Sequence, residues 1–128
     1  MEQTATSPTP LSDRLRAAGQ WNPGWDPIAA LDPVWMEKFL AMGLHSIASG
    51  VLPPKVLEFI AIAVDASCTH MYSPGVRRHI RCALELGASK EEIAAVLQAV
   101  SVLGLHASSM GAPILLEELA ALEARRQP

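Results

Sequence analysis

Cysteine is scarce in this sequence. Only Cys68 and Cys82 occur, and they do not form a C-x-x-C pair. Two cysteines are too few for a disulfide-stapled secreted scaffold, so both thiols are expected to be reduced, in a cytoplasmic protein. The N-terminus shows no basic-then-apolar leader, and no unbroken apolar run reaches the ~18 residues of a bilayer span, so no membrane partner is expected. Basic charge is not in excess either. A net charge of -3 and a pI near 5.7 argue against a nucleic-acid partner. The one basic cluster, Arg77, Arg78 and Arg81, reads more simply as a solvated helix face than as a phosphate site. Glycine-rich phosphate loops, a Gly-x-Ser-x-Gly elbow and a dinucleotide fingerprint are all missing, which removes several enzyme classes. Glu58, Cys68, His70 and His79 could be gathered, but no pair has a zinc spacing such as H-E-x-x-H, so neither metal nor cofactor is expected.

Apolar residues are abundant. They make up half of the 128 residues, and the mean hydropathy is +0.23. A chain of this length should form one domain with much surface relative to volume, so the apolar excess predicts faces buried between copies of the chain.

Residues Met1 to Pro10 read as a mobile tail, and the tail with its following arm extends to residue 26, ahead of a single helical domain over 27–128. Ser12 or Asp13 can cap a short helix ending at Gly19. Trp21-Asn-Pro-Gly-Trp25 is turn chemistry holding two tryptophans. They either cover their own core or reach over a neighbour or a pocket mouth. Asp32-Pro33 starts a helix that stops near Gly50, with His45 suited to the dipole at its end. A second helix over about Pro54 to Ser67 is apolar nearly all round, the mark of a central element. A third, Pro74 to Leu86, is amphipathic. Val76, Ile80, Ala83 and Leu84 form its apolar face, the arginines lie opposite, and His79 sits on the flank. Ser89 with Glu92 predicts a capping box for a fourth, striped by Ile93, Val96, Leu97, Val100 and Leu103. Small residues from Gly104 to Pro113 should bend or interrupt it before a last helix from about Pro113 through Leu122. No stretch reads as a strand. The fold is expected to be all-α, about six helices.

Nearly every group able to do acid–base or thiol chemistry lies between Glu58 and Ile93. Glu58 and Asp65 are seven apart on the apolar helix, on one stripe and roughly 10 Å apart. A carboxylate in such surroundings is either paired or poised to move a proton, although both could mark the helix's one wet stripe. Cys68, His70 and Tyr72 alternate along the next loop. A Cys-x-His pair can form a thiolate–imidazolium couple. Cys68 also continues the face of Leu57, Ala61 and Val64, and reads slightly better as a small buried residue lining a pocket. His70 and Tyr72 read as pocket groups, and His106, in the small-residue stretch, joins them as a substrate-contact candidate.

Two segments, Leu52-Pro-Pro-Lys-Val-Leu-Glu58 and His79-Ile-Arg-Cys-Ala-Leu-Glu-Leu-Gly87-Ala-Ser-Lys-Glu-Glu-Ile93, resemble the carboxymuconolactone decarboxylase family, which includes the alkylhydroperoxidase D-like proteins. The resemblance implies an all-helical fold assembled into homodimers, trimers or hexamers. In the peroxidase branch a glutamate and a histidine act with a C-x-x-C pair. Glu58 and His79 match the first two, but the cysteine positions fall on Tyr72 and Gly75. The branch that needs neither cofactor nor thiol pair fits better. It implies a lyase or isomerase acting on a small carboxylated lactone or keto acid of aromatic catabolism. Glu58, His79 and His70 would carry the chemistry, and Cys68, Tyr72, Asp65 and His106 would contact substrate. A thiol peroxidase using Cys68, and a non-catalytic ligand-binding oligomer, are the alternatives.

Overall fold

The computed structural model describes residues 7–126, and Met1–Thr6 of the expected tail lie outside them. The chain divides into two compact units, Met1–Leu52 and Pro53–Pro128. Among the described residues all regular structure is helical, as the sequence predicts.

The first unit holds α1 (Pro10–Ala17), a 3-10 turn (Pro23–Trp25), α2 (Asp26–Leu31) and α3 (Pro33–Ser49). Asp32 caps α3 as expected, its side chain accepting from the Trp35 N–H at 2.8 Å, and Gly50 ends it at φ 66. Neither Ser12 nor Asp13 caps α1, which begins two residues earlier. Its free amides are met from across the unit. The Glu37 carboxylate on α3 accepts from the Leu11 N–H at 3.0 Å and the Ser12 N–H at 2.8 Å. Leu15, Met36 and Leu40 form the core, with Trp21 and Trp25 packed against it and their two rings edge to face at 5.3 Å from each other. Both tryptophans therefore cover their own unit. Trp21 donates to Asp26 at 2.9 Å and lies under the Arg16 guanidinium at 3.8 Å.

The second unit holds α4 (Pro54–Ala66), α5 (Ser73–Glu85), α6 (Lys90–Ser101), a 3-10 turn (Val102–Gly104) and α7 (Leu105–Arg126). Its core is Ile62, Ala83, Ala88 and Ile93, with Phe59, Ile80 and Val96 packed against it. Ile62 on α4 and Ala83 on α5 are wholly buried, so a small residue on α5 lets α4 approach closely. The capping box forms. Ser89 Oγ accepts from the Glu92 N–H at 3.0 Å, and the Glu92 carboxylate accepts from the Ser89 N–H at 2.8 Å. That carboxylate also takes Lys55 of α4 at 3.0 Å, tying the start of α6 to the start of α4.

Two expectations change here. The α-helix is interrupted only by the 3-10 turn that ends at Gly104, and the rest of the stretch to Pro113 is helical. α7 starts at Leu105 and runs through Pro113, where the helix forgoes one backbone donor. By length and composition, the resulting run Lys90–Arg126 would also pass as a bilayer-crossing helix, which counting unbroken apolar residues misses. That apolar window is only 6% buried within the chain. Secondly, α4 is apolar all round yet only half covered. Ile60 and Val64 remain 47% and 55% exposed, as do Ile114, Leu115 and Leu116 on α7.

Candidate active site

The site is built where α4 and α5 face each other in the second unit. Glu58 and Asp65 lie two turns apart on α4, and His79 projects from α5 between them. Glu58 Oε2 lies 2.7 Å from His79 Nδ1, and both side chains are 23% exposed. Asp65 Oδ2 lies 3.8 Å from the other ring nitrogen, Nε2. Two carboxylates on one helix stripe thus address the two nitrogens of one imidazole.

A third neighbour assigns the proton. Arg78 Nη2 stands 3.2 Å from His79 Nε2, and a guanidinium can only donate. In this arrangement Nε2 accepts, so Nδ1 carries the hydrogen and gives it to Glu58. The sequence put the arginines on the opposite side from His79. Arg77 and Arg81 are exposed, but the Arg78 head folds back onto the ring. Among the described residues no carboxylate forms an ion pair with Arg78.

The loop between the helices completes the cluster. Met71 adopts φ 50, a left-handed conformation that turns the chain, and the Tyr72 N–H returns to donate to the Asp65 carbonyl at 2.8 Å. His70 Nε2 then lies 3.4 Å from Asp65 Oδ1, with its ring edge-on to Tyr72 at 5.9 Å. Asp65 is 13% exposed and His70 is 54% exposed, so the cluster runs from a half-buried pair out to solvent.

The thiols stand apart from this. Cys68, read as slightly more consistent with burial, is exposed because α4 ends at Ala66, and the helical face it was projected onto does not reach it. It borders a shallow cleft of about 240 Å³ with Met71, Leu97 and Val100. Cys82 is partly buried, and burial, followed by the nearby Glu58 carboxylate, pushes its thiol pKa up. Neither forms a disulfide. His106 is exposed on α7, where its carbonyl accepts from the Ser109 hydroxyl. None of the contacts that define the cluster involves it. The described residues include no group of His, Cys, Asp and Glu arranged to hold a metal ion.

Sequence reasoning found Glu58, Asp65, His70, Tyr72 and His79, and the structure brings these together. It missed Arg78 and Gly75. Arg78 carried a signal only in adjoining His79. Gly75 carried little more, since Gly43 and Gly111 also lie within helices and meet nothing there.

With this geometry in view, the comparison with known proteins is direct. Residues 33–118 match the model of the carboxymuconolactone decarboxylase family. The chain belongs to that family. A crystal structure from Burkholderia xenovorans LB400, provisionally named a gamma-carboxymuconolactone decarboxylase subunit, superposes with a TM-score of 0.78 at 40% identity. The match covers 96% of this chain and 49% of that one, so this chain spans about half the length of that relative. Among curated proteins none matches the chain. The family match includes α4 and α5, and so every residue of the cluster.

Proposed function

We propose that this family member is a cofactor-independent lyase, a decarboxylase, or an isomerase acting on a small carboxylated lactone or keto acid of aromatic-compound catabolism. The observation that carries the reading is the Glu58–His79 pair at 2.7 Å, which ties up Nδ1 and leaves Nε2 as the working nitrogen. Loss of carbon dioxide from such a substrate leaves its electron pair in a conjugated carbonyl, as a dienolate. One proton must then be supplied to carbon. His79 takes that proton at Nε2 and delivers it, while the Glu58 carboxylate stabilises the transient imidazolium through Nδ1–H. An isomerase would use the same nitrogen to remove a proton and return it.

Arg78 supplies positive charge beside Nε2, where an anionic substrate would draw it off the ring and free the lone pair. His70 and Tyr72 orient the substrate at the loop side, and Cys68 borders the neighbouring cleft. The thiol peroxidase is the weaker reading. Tyr72 and Gly75 stand where the redox pair would be, and the Cys82 thiol is held in its neutral form.

The partner we propose is a second copy of the chain, in a cytoplasmic homo-oligomer. The exposed apolar faces of α4 and α7 support it, together with the word "subunit" in the name of the Burkholderia protein. The activity is tested by following loss of the substrate chromophore with purified protein. His79→Ala and Glu58→Gln should each lower turnover by at least about 100-fold. Unchanged turnover in both removes the assignment.

A further inference from the structure

Gly75 occupies the first turn of α5, directly over the end of α4. Its backbone is ordinary. The glycines with positive φ are Gly19, Gly50 and Gly87, so conformational freedom does not explain Gly75. Space does. A Cβ built there would overlap Asp65 Oδ2, and it would stand 2.7 Å from Asp65 Cγ and 2.6 Å from Tyr72 Cδ1. Six other glycines, Gly19, Gly43, Gly50, Gly87, Gly104 and Gly111, would meet nothing within 4 Å, and Gly24 only the side chain of Asn22. Asp65 therefore fills the volume that a side chain at 75 would take, and this seat points its two oxygens at two different imidazoles.

We propose that Gly75 and Asp65 act together as a positioning pair, with Gly75 holding open the seat from which Asp65 receives the Nε2 proton face of His79. The inference rests on the proton-transfer reading of His79. In the neutral state Nε2 accepts from Arg78 at 3.2 Å and Asp65 waits at 3.8 Å. When Nε2 gains a proton the order reverses. The ring can no longer accept from Arg78 and is repelled by its charge, while Asp65 becomes the attracting neighbour. A shift of under an ångström closes an Nε2–H to Oδ2 hydrogen bond. His70, on the other oxygen and exposed to water, continues this cluster from the charged ring out to solvent.

The charged groups in contact with His79 are Glu58 and Asp65 from α4 and Arg78 from α5, while His70 lies on the far oxygen of Asp65 and Cys82 is near the Glu58 carboxylate. The α6 carboxylate Glu92 is tied to Lys55 and its own cap.

The test is a cycle of Gly75→Ala, Asp65→Ala and the double variant, with Asp65→Asn added to remove charge while keeping shape. Each is read by imidazole ¹⁵N resonances of His79 and His70, by melting temperature, and by the pH profile of turnover. Gly75→Ala and Asp65→Ala should perturb the two imidazole signals in the same way. Each should lower turnover about 10- to 100-fold, below the loss expected for His79 itself. In the double variant the clash with Asp65 has gone and only that with the Tyr72 ring is left, so Gly75→Ala should cost much less there than in wild type. If Gly75→Ala alone fails to fold, the double variant should recover folding. Asp65→Asn should fold normally yet still shift the His79 and His70 resonances and lower turnover, because it keeps the shape of the seat and removes its charge. An equal cost for Gly75→Ala with and without Asp65, or Asp65→Ala signals matching wild type, overturns the proposal. Failure of wild-type protein to turn over any carboxylated lactone would sink the functional reading instead, while the resonances and melting temperatures still decide this one.

Discussion

Ile62 and Cys82 show how differently neighbouring side chains can matter around one site. Ile62 sits one turn beyond Glu58 on α4, is wholly buried, and packs on Ala83. Ile62→Ala should cost about 2–5 kcal/mol in denaturant unfolding, because the surrounding helices cannot close over the lost methylenes. It should also loosen the α4–α5 contact that aligns Glu58 with His79. Cys82 has no catalytic part in the proposed reaction, and its environment favours the thiol over the thiolate. Alkylation at neutral pH should therefore label exposed Cys68 first and Cys82 slowly, with mass spectrometry reporting the order. Faster labelling of Cys82 would count against the buried, carboxylate-flanked position described for it. Arg78→Gln should raise KM for an anionic substrate by about tenfold or more while leaving the melting temperature nearly unchanged, since no carboxylate depends on its charge.

At the scale of elements, most boundaries follow from chemistry within one turn. Asp32-Pro33, Gly50, Gly87 and the Ser89–Glu92 box each act on backbone groups a few residues away, so these ends were legible in the sequence. Ser89→Ala should cost about 1 kcal/mol of stability by removing one half of the box. The start of α1 was not legible, because its amides are met by Glu37, which the chain brings back only when α3 docks. Burial of Glu37 pushes its pKa up, but the Ser12 hydroxyl and the Ser12 and Leu11 amides outweigh that and hold it below the ordinary value. A carboxyl with a lowered folded pKa contributes fully above the unfolded value, near pH 4.3, and loses its contribution as pH falls through the folded one. Acidification through that window should release α1 from α3 and change the fluorescence of Trp21 and Trp25. Glu37→Gln should weaken the docking by about 1 kcal/mol at neutral pH and remove its share of the acid step.

For the whole molecule the decisive quantity is apolar surface left uncovered. Ile114, Leu115 and Leu116 on α7 and Ile60 and Val64 on α4 are between 47% and 67% exposed in a single chain. Isolated apolar residues on a surface need no explanation, but an entire helix with no buried residue does. Light scattering should give a mass at least twice the 13.7 kDa of one chain. Leu116→Glu should shift it towards the monomer, and a wild-type monomer would contradict the proposed assembly. α7 also shows why its continuity escaped the sequence reading. Gly104, Gly111 and Pro113 are local breakers, yet the helix runs on across the last two.

The sequence by itself determined the helical class, most helix ends, the family, and Glu58 and His79 as the residues to watch. Those signals are local or are carried by short motifs. Only the tertiary structure decided that Asp65 shares His79 with Glu58, that Arg78 leans onto the ring, that Cys68 is exposed, and that Gly75 is a space and not a hinge. Each of these depends on how closely α4 approaches α5 and on the path of the loop between them. That distance is set by packing at Ile62 and Ala83, which no window of sequence contains.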